Sequence, residues 1–394
     1  MKDQIDRIKV LSAGILSLIL MLGIARFAYT PLLPLMQQQA GLGISEAGWL
    51  AAINYLGYFC GAISASLISD LMLKDRLYRI GLILAVLTTA GMGLTDNIWL
   101  WLVLRFVAGL SSAAGLLLGS GLILNWLIRH DHPSELGIHF VGLGLGIAIC
   151  AVVVELLNSH VGWSQQWLIL SVLGLVILIP AWVWLPPPDK SAITRSGGSM
   201  LDAPPSTAFL RLFMAVYFCA GVGYVVSITF IVAIVDQLPG LEGKGTWTFL
   251  VLGLAGIPSS IIWDLIARKM GDLNALICAF VIHIIGILLP VIEHSITFAM
   301  IGAVLFGSTV FGIVSLVLTM AGRYYPTRPS KMMGKMTLSY CIAQILAPIV
   351  TGLLAEHGGS YSDGLYIAAL MMVIGTLLML MLKFLERRDS MIRS

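Results

Sequence analysis

Charged residues are scarce in this chain of 394 residues, where Asp, Glu, Lys and Arg make up 11% of the sequence and hydrophobic residues 58%. Soluble globular domains carry about a quarter charged residues. This deficit excludes an ordinary water-soluble globule and predicts a membrane protein. The net charge of +3 comes from basic residues spread over short connectors. The sequence therefore has no continuous basic face, and we expect no binding of nucleic acid.

Cysteine is also rare, and the five cysteines of the chain lie inside apolar runs without a CxxC pair. This pattern predicts neither a disulfide framework nor a zinc site, and we expect no cofactor. The sequence also lacks an HExxH motif, a nucleophile elbow, an acidic metal cluster and a Walker A motif. An enzyme acting within the membrane and a primary pump are therefore disfavoured.

Long apolar segments are abundant. A helix needs about 20 apolar residues to cross a hydrocarbon layer roughly 30 Å thick, because its backbone polar groups must be satisfied within the helix. The sequence predicts an all-α membrane protein with twelve transmembrane helices, at residues 10–35, 46–69, 78–95, 98–127, 137–158, 164–185, 207–236, 246–267, 273–292, 296–321, 333–354 and 363–384.

The basic residues lie almost entirely on one side of the predicted membrane. Of the 23 Lys and Arg residues, twelve spans place 20 on the same side, in the termini, the connectors and the adjoining span ends. The exceptions are Lys244 on the opposite side and Arg26 and Arg105 inside spans. Because positive residues are retained in the cytoplasm, we predict that both termini are cytoplasmic.

A polar segment divides the chain into two halves. Residues 186–206, PPPDKSAITRSGGSMLDAPPS, are too polar to span a membrane. We predict that they form a cytoplasmic linker between an N-terminal six-helix bundle at 1–185 and a C-terminal one at 207–394. The sequence SLISD ends the second span at Asp70, and SIIWD ends the eighth at Asp264. This match indicates a duplication of six helices.

Several motifs resemble the major facilitator superfamily, and the resemblance covers essentially the whole chain. The segment from Arg105 to Gly109 resembles the RxxxG motif of the fourth span. Residues 23–34, GIARFAYTPLLP, and residues 47–58, AGWLAAINYLGY, resemble the YbfB/YjiJ-type subfamily of bacterial permeases. The resemblance implies a major facilitator fold and a secondary transporter that works by alternating access. The fifth span lacks the proline of the drug/proton antiporter signature.

The resemblance also implies conformational locks on the cytoplasmic side. Asp70, followed by Arg76 and Arg79, is similar to the acidic-then-basic signature of the loop between spans two and three. Asp264 with Arg268 occupies the matching place in the second half. The alternative is that these residues are ordinary solvated loop charges.

Three intramembrane charged residues of the first half are candidates for a role in transport: Arg26, Arg105 and Glu155. A mid-membrane arginine costs about 2.5–3.5 kcal/mol on insertion scales, so it should face a partner or a water-filled cavity. A guanidinium offers a planar fork that matches a carboxylate, so Arg26 or Arg105 is a candidate ligand of an anionic substrate. The alternative for both is helix packing through salt bridges or carbonyl groups.

Two residues are candidates for proton coupling. Glu155 qualifies because low dielectric favours a neutral carboxyl group that exchanges its proton. Alternatively, Glu155 pairs permanently with Arg105 as a structural lock or is merely solvated near the outer interface. His283 lies in the middle of span nine and is a candidate because the reference pKa of histidine is near neutrality, although a lone histidine on an apolar helix is more often hydrogen-bonded and inert.

Polar stripes within apolar helices give a second indication of the substrate pathway, because residues three or four apart share a helix face. Spans two, seven, ten and eleven carry such stripes, and in the superfamily spans one, four, seven and ten line the pathway. Tyrosines in such stripes also fit core or interfacial positions. The predicted substrate-binding residues are Arg26, Tyr29, Arg105, Tyr217, Tyr224, Ser315, Tyr340 and Gln344.

These observations together favour a proton-coupled secondary transporter of a small organic anion, because the membrane interior carries two arginines against one glutamate and no lysine. A proton-driven exporter of neutral or amphipathic small molecules is the alternative. We expect a monomer in the bacterial cytoplasmic (inner) membrane whose partners are the lipid bilayer, protons and a small-molecule substrate. A channel is disfavoured, because two six-span halves suit rocking better than a fixed pore.

Overall fold

A computed structural model of the chain describes residues 2–42, 44–133, 136–157, 160–189, 200–237, 245–293, 295–358 and 362–393. The described residues form helices and connecting turns, without a β-strand among them. The α-helices of the first half are α1 (Lys2–Leu18), α2 (Tyr29–Ala40), α3 (Ile44–Leu67), α4 (Leu71–Leu94), α5 (Ile98–Ala113), α6 (Ser120–Arg129), α7 (Gly137–Leu157) and α8 (Trp163–Val183). Two π-helical segments, Ile19–Phe27 and Ala114–Gly119, join α1 to α2 and α5 to α6.

Seven α-helices follow the polar segment. They are α9 (Thr207–Gln237), α10 (Gly245–Gly256), α11 (Ser259–Met270), α12 (Asp272–Ile292), α13 (Ile296–Arg323), α14 (Pro329–Gly358) and α15 (Ser362–Arg393). Each of the twelve predicted spans therefore has a helix, or a run of consecutive helices, at its position.

Length and hydropathy identify the helices that suit a membrane. Among the described residues, nine helices or helix runs are long and apolar enough to cross one. The pair Leu250–Gly256 and Ser259–Met270, bent by 41°, makes a tenth if it is counted as one span. The expectation of an all-helical membrane protein is confirmed.

Side-chain caps explain where several helices begin, because the first N–H groups of a helix have no partner within it. The carboxylate of Asp70 accepts from Met72 N at 2.8 Å at the start of α4. The side chain of Asn97 accepts from Trp99 N at 2.9 Å at the start of α5. At each of these helix ends, a side-chain oxygen accepts the hydrogen bond that water would otherwise accept.

The chain divides into two compact units. Unit 1 comprises residues 1–202 together with 325–335, and unit 2 comprises 203–324 together with 336–394. In unit 1 the Nδ2 group of Asn125 donates to Pro326 O at 3.0 Å. The division of the chain into bundles at 1–185 and 207–394 with a linker at 186–206 stays a prediction.

Two arginines of unit 1 bind the chain that leaves α8. Arg79 donates from Nη1 to Trp182 O at 2.8 Å and from Nη2 to Leu185 O at 2.9 Å. Arg129 donates from Nη2 to Asp189 O at 2.9 Å. Because these bonds satisfy carbonyls at and beyond the helix end, the first part of the polar segment is attached to unit 1.

Candidate functional site

The site begins with the π-helical segment Ile19–Phe27, within the first predicted span. In a π-turn each N–H bonds the carbonyl five residues earlier instead of four, as Ala28 N does with Gly23 O at 3.0 Å. The hydroxyl of Ser112 in α5 donates to Met21 O at 2.8 Å. A neighbouring helix therefore supplies a hydrogen bond to this widened segment. Arg26 is the penultimate residue of the segment.

Arg105 of α5 is held by backbone carbonyls of two other elements. Its Nε donates to Leu50 O at 3.3 Å. Its Nη1 donates to Ala25 O at 3.4 Å and to Arg26 O at 3.1 Å. Its Cζ lies 4.5 Å from the ring centroid of Tyr29, and the residue is 3% exposed. These contacts correspond to the helix-packing alternative, because the guanidinium binds the carbonyls at the end of the π-helical segment.

Arg26 has a different environment, made of aromatic rings. Its Cζ lies 4.7 Å from the ring centroid of Tyr58, 4.8 Å from that of Tyr55 and 5.3 Å from that of Phe27. The residue is 6% exposed. A cation over a ring face is attracted by the quadrupole of the ring. Such contacts hold the guanidinium through its charge.

The close approach of α3 and α5 fixes both arginines relative to each other. A Cβ atom on Gly57 would lie 2.0 Å from Phe106 O, and one on Gly109 would lie 2.1 Å from Asn54 O. The side-chain amide of Asn54 donates to Arg105 O at 2.8 Å. The glycine of the RxxxG motif is therefore required by backbone contact, and the arginine one turn before it lies at the same helix interface.

The predicted proton-coupling residues fall in different places. Glu155 lies in α7, and its side chain lies outside the described residues. The Nδ1 atom of His283 lies 2.7 Å from Oγ1 of Thr309. The hydroxyl of Thr309 is also within 2.9 Å of Leu305 O and Phe306 O. His283 therefore takes part in a buried hydrogen-bonded contact between α12 and α13.

Three predicted tyrosines of unit 2 form a stack, which we call the tyrosine cluster (Tyr217, Tyr224 and Tyr340). The ring centroids of Tyr217 and Tyr340 are 4.6 Å apart and those of Tyr224 and Tyr340 are 5.7 Å apart, each pair with a 28° interplanar angle. A Cβ atom on Gly221 would lie 2.9 Å from Tyr340 O. The glycine therefore permits the approach of α9 and α14 that brings the rings together.

The other predicted substrate residues are buried in their helices. Gln344 lies one turn after Tyr340 in α14 and is 5% exposed. Ser315 is buried in α13. In unit 1, the ring of Tyr29 faces the guanidinium of Arg105, which in turn donates to the backbone carbonyl of Arg26. Substrate binding by any of these residues stays a prediction.

The predicted lock motif of unit 1 contains an ion pair that the sequence motif did not include. Arg79 pairs with Asp75, one turn earlier in α4, at 2.9 Å. Asp70 caps α4, and Arg76 is exposed. The sequence reasoning overlooked Asp75, although a spacing of four residues between acid and base on a helix is a usable signal.

The corresponding motif of unit 2 contains the expected pair. Asp264 and Arg268 lie 2.9 Å apart within α11. A second ion pair joins Arg323 to Asp272 at 3.0 Å. Burial raises the pKa of Tyr324 above its usual range, so its phenol stays protonated beside this group. A lock function for either motif stays a prediction.

Sequence reasoning also missed the aromatic contacts of Arg26 through Tyr55 and Phe27. Tyr55 follows Asn54 in the segment 47–58, which was quoted only for its resemblance to a permease subfamily. The residue types are evident from the sequence, but nothing in the sequence indicates which rings contact the guanidinium of Arg26. Among the described residues, no group of His, Cys, Asp and Glu side chains is arranged to hold a metal ion.

Comparisons with known proteins agree on one family. The sequence matches, over residues 18–380, the family model described as uncharacterised MFS-type transporter YbfB. It is 24% identical over 388 residues to the probable sulfoacetate transporter SauU of Cupriavidus necator, a match that covers 91% of this chain and 89% of that protein.

Solved structures give the same fold. The crystal structure of the human organic anion transporter MFSD10 superposes with a TM-score of 0.74 at 15% sequence identity, covering 95% of this chain and 99% of that one. The fucose:proton symporter FucP of E. coli superposes with a TM-score of 0.68 at 14% identity, covering 94% and 98%. The family and these relatives are transporters and not enzymes.

Proposed function

Because the chain belongs to the YbfB-type family of major facilitator transporters, we propose that it is a proton-coupled secondary transporter of small organic anions. It works by alternating access. Arg26 is the residue that binds the anionic group of the substrate.

The environment of Arg26 is the observation that carries this proposal. A charged side chain at membrane depth is costly, and such residues commonly mark substrate pathways. Arg26 lies in the π-helical segment with its guanidinium over the rings of Tyr55 and Tyr58. The rings orient the guanidinium of this buried cation. The fork geometry of a guanidinium suits a carboxylate or a sulfonate.

Arg105 has the complementary role of support. Its hydrogen bonds to Ala25 O and Arg26 O secure the backbone from which the Arg26 side chain projects. An arginine suits this task because its planar, permanently charged fork reaches several carbonyls at once. Of the two arginines first considered for the anion, the proposal therefore assigns substrate to Arg26.

The relatives support an anionic substrate and coupling to protons. SauU is named as a probable sulfoacetate transporter, and MFSD10 as an organic anion transporter. FucP is named as a proton symporter. For the present chain we propose a monomer in the bacterial inner membrane with both termini in the cytoplasm, as the distribution of Lys and Arg predicts. Glu155 is proposed to carry the coupling proton.

Uptake into proteoliposomes tests the proposal. The purified chain is reconstituted, and the uptake of monocarboxylates, dicarboxylates, sulfonates and amphipathic cations is measured under imposed pH and voltage gradients. We expect uptake of an anion, driven by an inward proton gradient, that Arg26→Ala abolishes. The matched control is Arg211→Ala, which removes an exposed cation near the start of α9 and should leave uptake unchanged.

The same panel distinguishes the rival function. Uptake or thermal stabilisation by hydrophobic cations or neutral compounds alone, unaffected by Arg26→Ala, would identify an exporter of amphipathic molecules and overturn the anion proposal. Anion uptake that survives Arg26→Ala would overturn the assignment of Arg26.

A further inference from the structure

We propose that the tyrosine cluster of unit 2 selects substrates that carry a flat, unsaturated group, with Gln344 and Ser227 binding the polar edge of that group. This inference rests on the proposed function, since it names the class of organic anion that is carried. The substrate contacts this cluster during its passage. Ser227 was not among the substrate-binding residues predicted from the polar stripes of the helices.

The geometry of the rings supports the first part. Tyr340 is stacked against both Tyr217 and Tyr224 with an interplanar angle of 28° in each pair. Aromatic rings prefer offset-stacked or edge-to-face neighbours, and each such pair contributes beyond the apolar area that it buries. Because Tyr217 and Tyr224 lie two turns apart on one face of α9 and both stack on Tyr340, a further flat ring would meet the edge of Tyr340 or extend the stack, and a saturated ring would do so less well.

Two polar groups near the cluster support the second part. Within the part of the chain that the structure describes, Oε1 of Gln344 and Oγ of Ser227 are buried and have no hydrogen-bond partner. Gln344 is 5% exposed and Ser227 is 3% exposed. Gln344 follows Tyr340 by four residues and Ser227 follows Tyr224 by three, so each lies on the helix face of a stacked tyrosine.

The free-energy cost of burying these two polar atoms without a hydrogen bond is the reason to expect a ligand there. A buried polar atom without a partner costs about 1–3 kcal/mol, and each one in a native structure calls for an explanation such as a bound molecule. An apolar residue at either position would avoid this cost. A ligand that donates a hydrogen bond to Gln344 Oε1 while its ring packs on Tyr340 satisfies both features together.

The chemical class that fits is therefore a small aromatic or conjugated acid with a hydrogen-bond donor on its ring. Aromatic hydroxyacids and amino-substituted aromatic acids belong to this class. Saturated acids of equal size present no flat face.

A panel of four matched compounds separates this inference from the proposed function. Benzoate and cyclohexanecarboxylate differ in flatness but share a charge, and benzamide and cyclohexanecarboxamide are their neutral counterparts. Thermal stabilisation of the purified full chain is measured with each compound, and uptake into proteoliposomes with each acid. A preference for the acids over the amides tests the proposed function. A preference for the aromatic member of each pair tests the inference.

We expect benzoate to be preferred over cyclohexanecarboxylate by at least tenfold in apparent affinity. Tyr340→Leu should remove this preference, whereas Tyr340→Phe, which keeps the ring, should retain it. 4-Hydroxybenzoate should bind more tightly than benzoate, and Gln344→Leu should abolish that gain while Gln344→Asn retains part of it. Ser227→Ala should reduce the same gain.

Each other outcome has a defined meaning. Equal binding of benzoate and cyclohexanecarboxylate would overturn the inference and leave the anion transporter intact. An aromatic preference among the amides alone would support the tyrosine cluster and overturn the anionic substrate. If Tyr340→Leu does not fold, the comparison of 4-hydroxybenzoate with benzoate in Gln344→Leu decides, and an unchanged gain there would overturn the inference.

Discussion

The Nη1 group of Arg105 donates to the backbone carbonyl of Arg26 across 3.1 Å. One intramembrane arginine therefore secures the backbone that carries the other. The proposal accordingly gives two arginines that look equivalent in the sequence separable roles, one in holding the helix and one in binding the substrate.

Lysine substitutions should separate the two roles. Arg105→Lys loses the fork that reaches Leu50 O as well as Ala25 O and Arg26 O, so we expect the free energy of unfolding to fall by about 1.5–3 kcal/mol, as for lost hydrogen bonds to a charged group. Arg26→Lys keeps a cation over the rings but loses the planar fork proposed to bind the anion, so transport should fall. Thermal unfolding in detergent and proteoliposome uptake measure the two effects. Unchanged stability in Arg105→Lys, or full anion uptake by Arg26→Lys, would contradict the division of roles.

The contact between α3 and α5 should not tolerate a methyl group. A Cβ atom at position 109 would lie 2.1 Å from the backbone oxygen of Asn54, which cannot move aside as a side chain can. We expect Gly109→Ala to destabilise the protein by about 1–3 kcal/mol, the usual range for overpacking. Gly91→Ala is the matched control, because its new methyl group would meet only the flexible side chain of Leu104. Similar melting temperatures for the two variants would refute the argument.

The coupling proton should depend on Glu155. A glutamine imitates the neutral carboxyl group, so Glu155→Gln should transport at a rate that no longer rises as the external pH is lowered. Uptake measured between about pH 5 and 8 at fixed membrane voltage tests this expectation. The control is Glu46→Gln in the first turn of α3, which should keep the wild-type pH profile. An unchanged profile in Glu155→Gln would exclude the residue from coupling.

His283 should affect stability and not pH dependence. Its Nδ1 atom is engaged by Thr309, whose hydroxyl also lies within hydrogen-bonding distance of Leu305 O. Thr309→Val leaves the buried imidazole without this partner, so we expect a loss of about 1–3 kcal/mol in unfolding free energy. His283→Gln should transport with the wild-type pH profile. A flattened profile in His283→Gln would restore the relay interpretation.

The ion pair of α4 should matter more than the neighbouring exposed base. Asp75→Asn leaves Arg79, whose side chain is 14% exposed, without its carboxylate. We expect this variant to lose about 1.5–3 kcal/mol, as for a lost hydrogen bond to a charged group, because Nε of Arg79 loses its carboxylate while Nη1 and Nη2 keep the carbonyls of Trp182 and Leu185. Arg76→Gln should change stability by less than about 0.5 kcal/mol, as for most surface substitutions. Thermal unfolding of the two variants side by side measures the difference.

The helices of this protein were predictable because the membrane imposes a length and a composition on each span. The predicted start of span four at residue 98 coincides with the start of α5 after its cap Asn97. The bend between α10 and α11 was less visible, since Pro258 lies within an otherwise apolar run. The matched motifs also differ in structure, because Asp70 precedes α4 while Asp264 lies inside α11.

The contact partners of individual side chains were harder to predict than the positions of the helices that carry them. The sequence indicated that Arg105 needs a partner, but the carbonyls of Ala25 and Arg26 accept from it only because the π-helical segment places them there. Asp75 was overlooked in favour of Asp70, which the motif highlights. The tyrosine stripes on α9 and α14 were visible separately, and only tertiary packing brings the rings of Tyr217 and Tyr340 together.

The π-helical segment Ile19–Phe27 also constrains how the chain tolerates a change of length. A turn that bonds across five residues holds one residue more than an α-turn, so the first span contains slack that an uninterrupted α-helix lacks. Deleting one residue in an uninterrupted α-helix rotates everything beyond the deletion by about 100° about the axis, whereas a deletion in the π-helical segment converts the wide turn into an α-turn and is absorbed there. Tyr29 would then keep its orientation toward the guanidinium of Arg105, so the first span should tolerate the loss of one residue here and nowhere else along its α-helical parts.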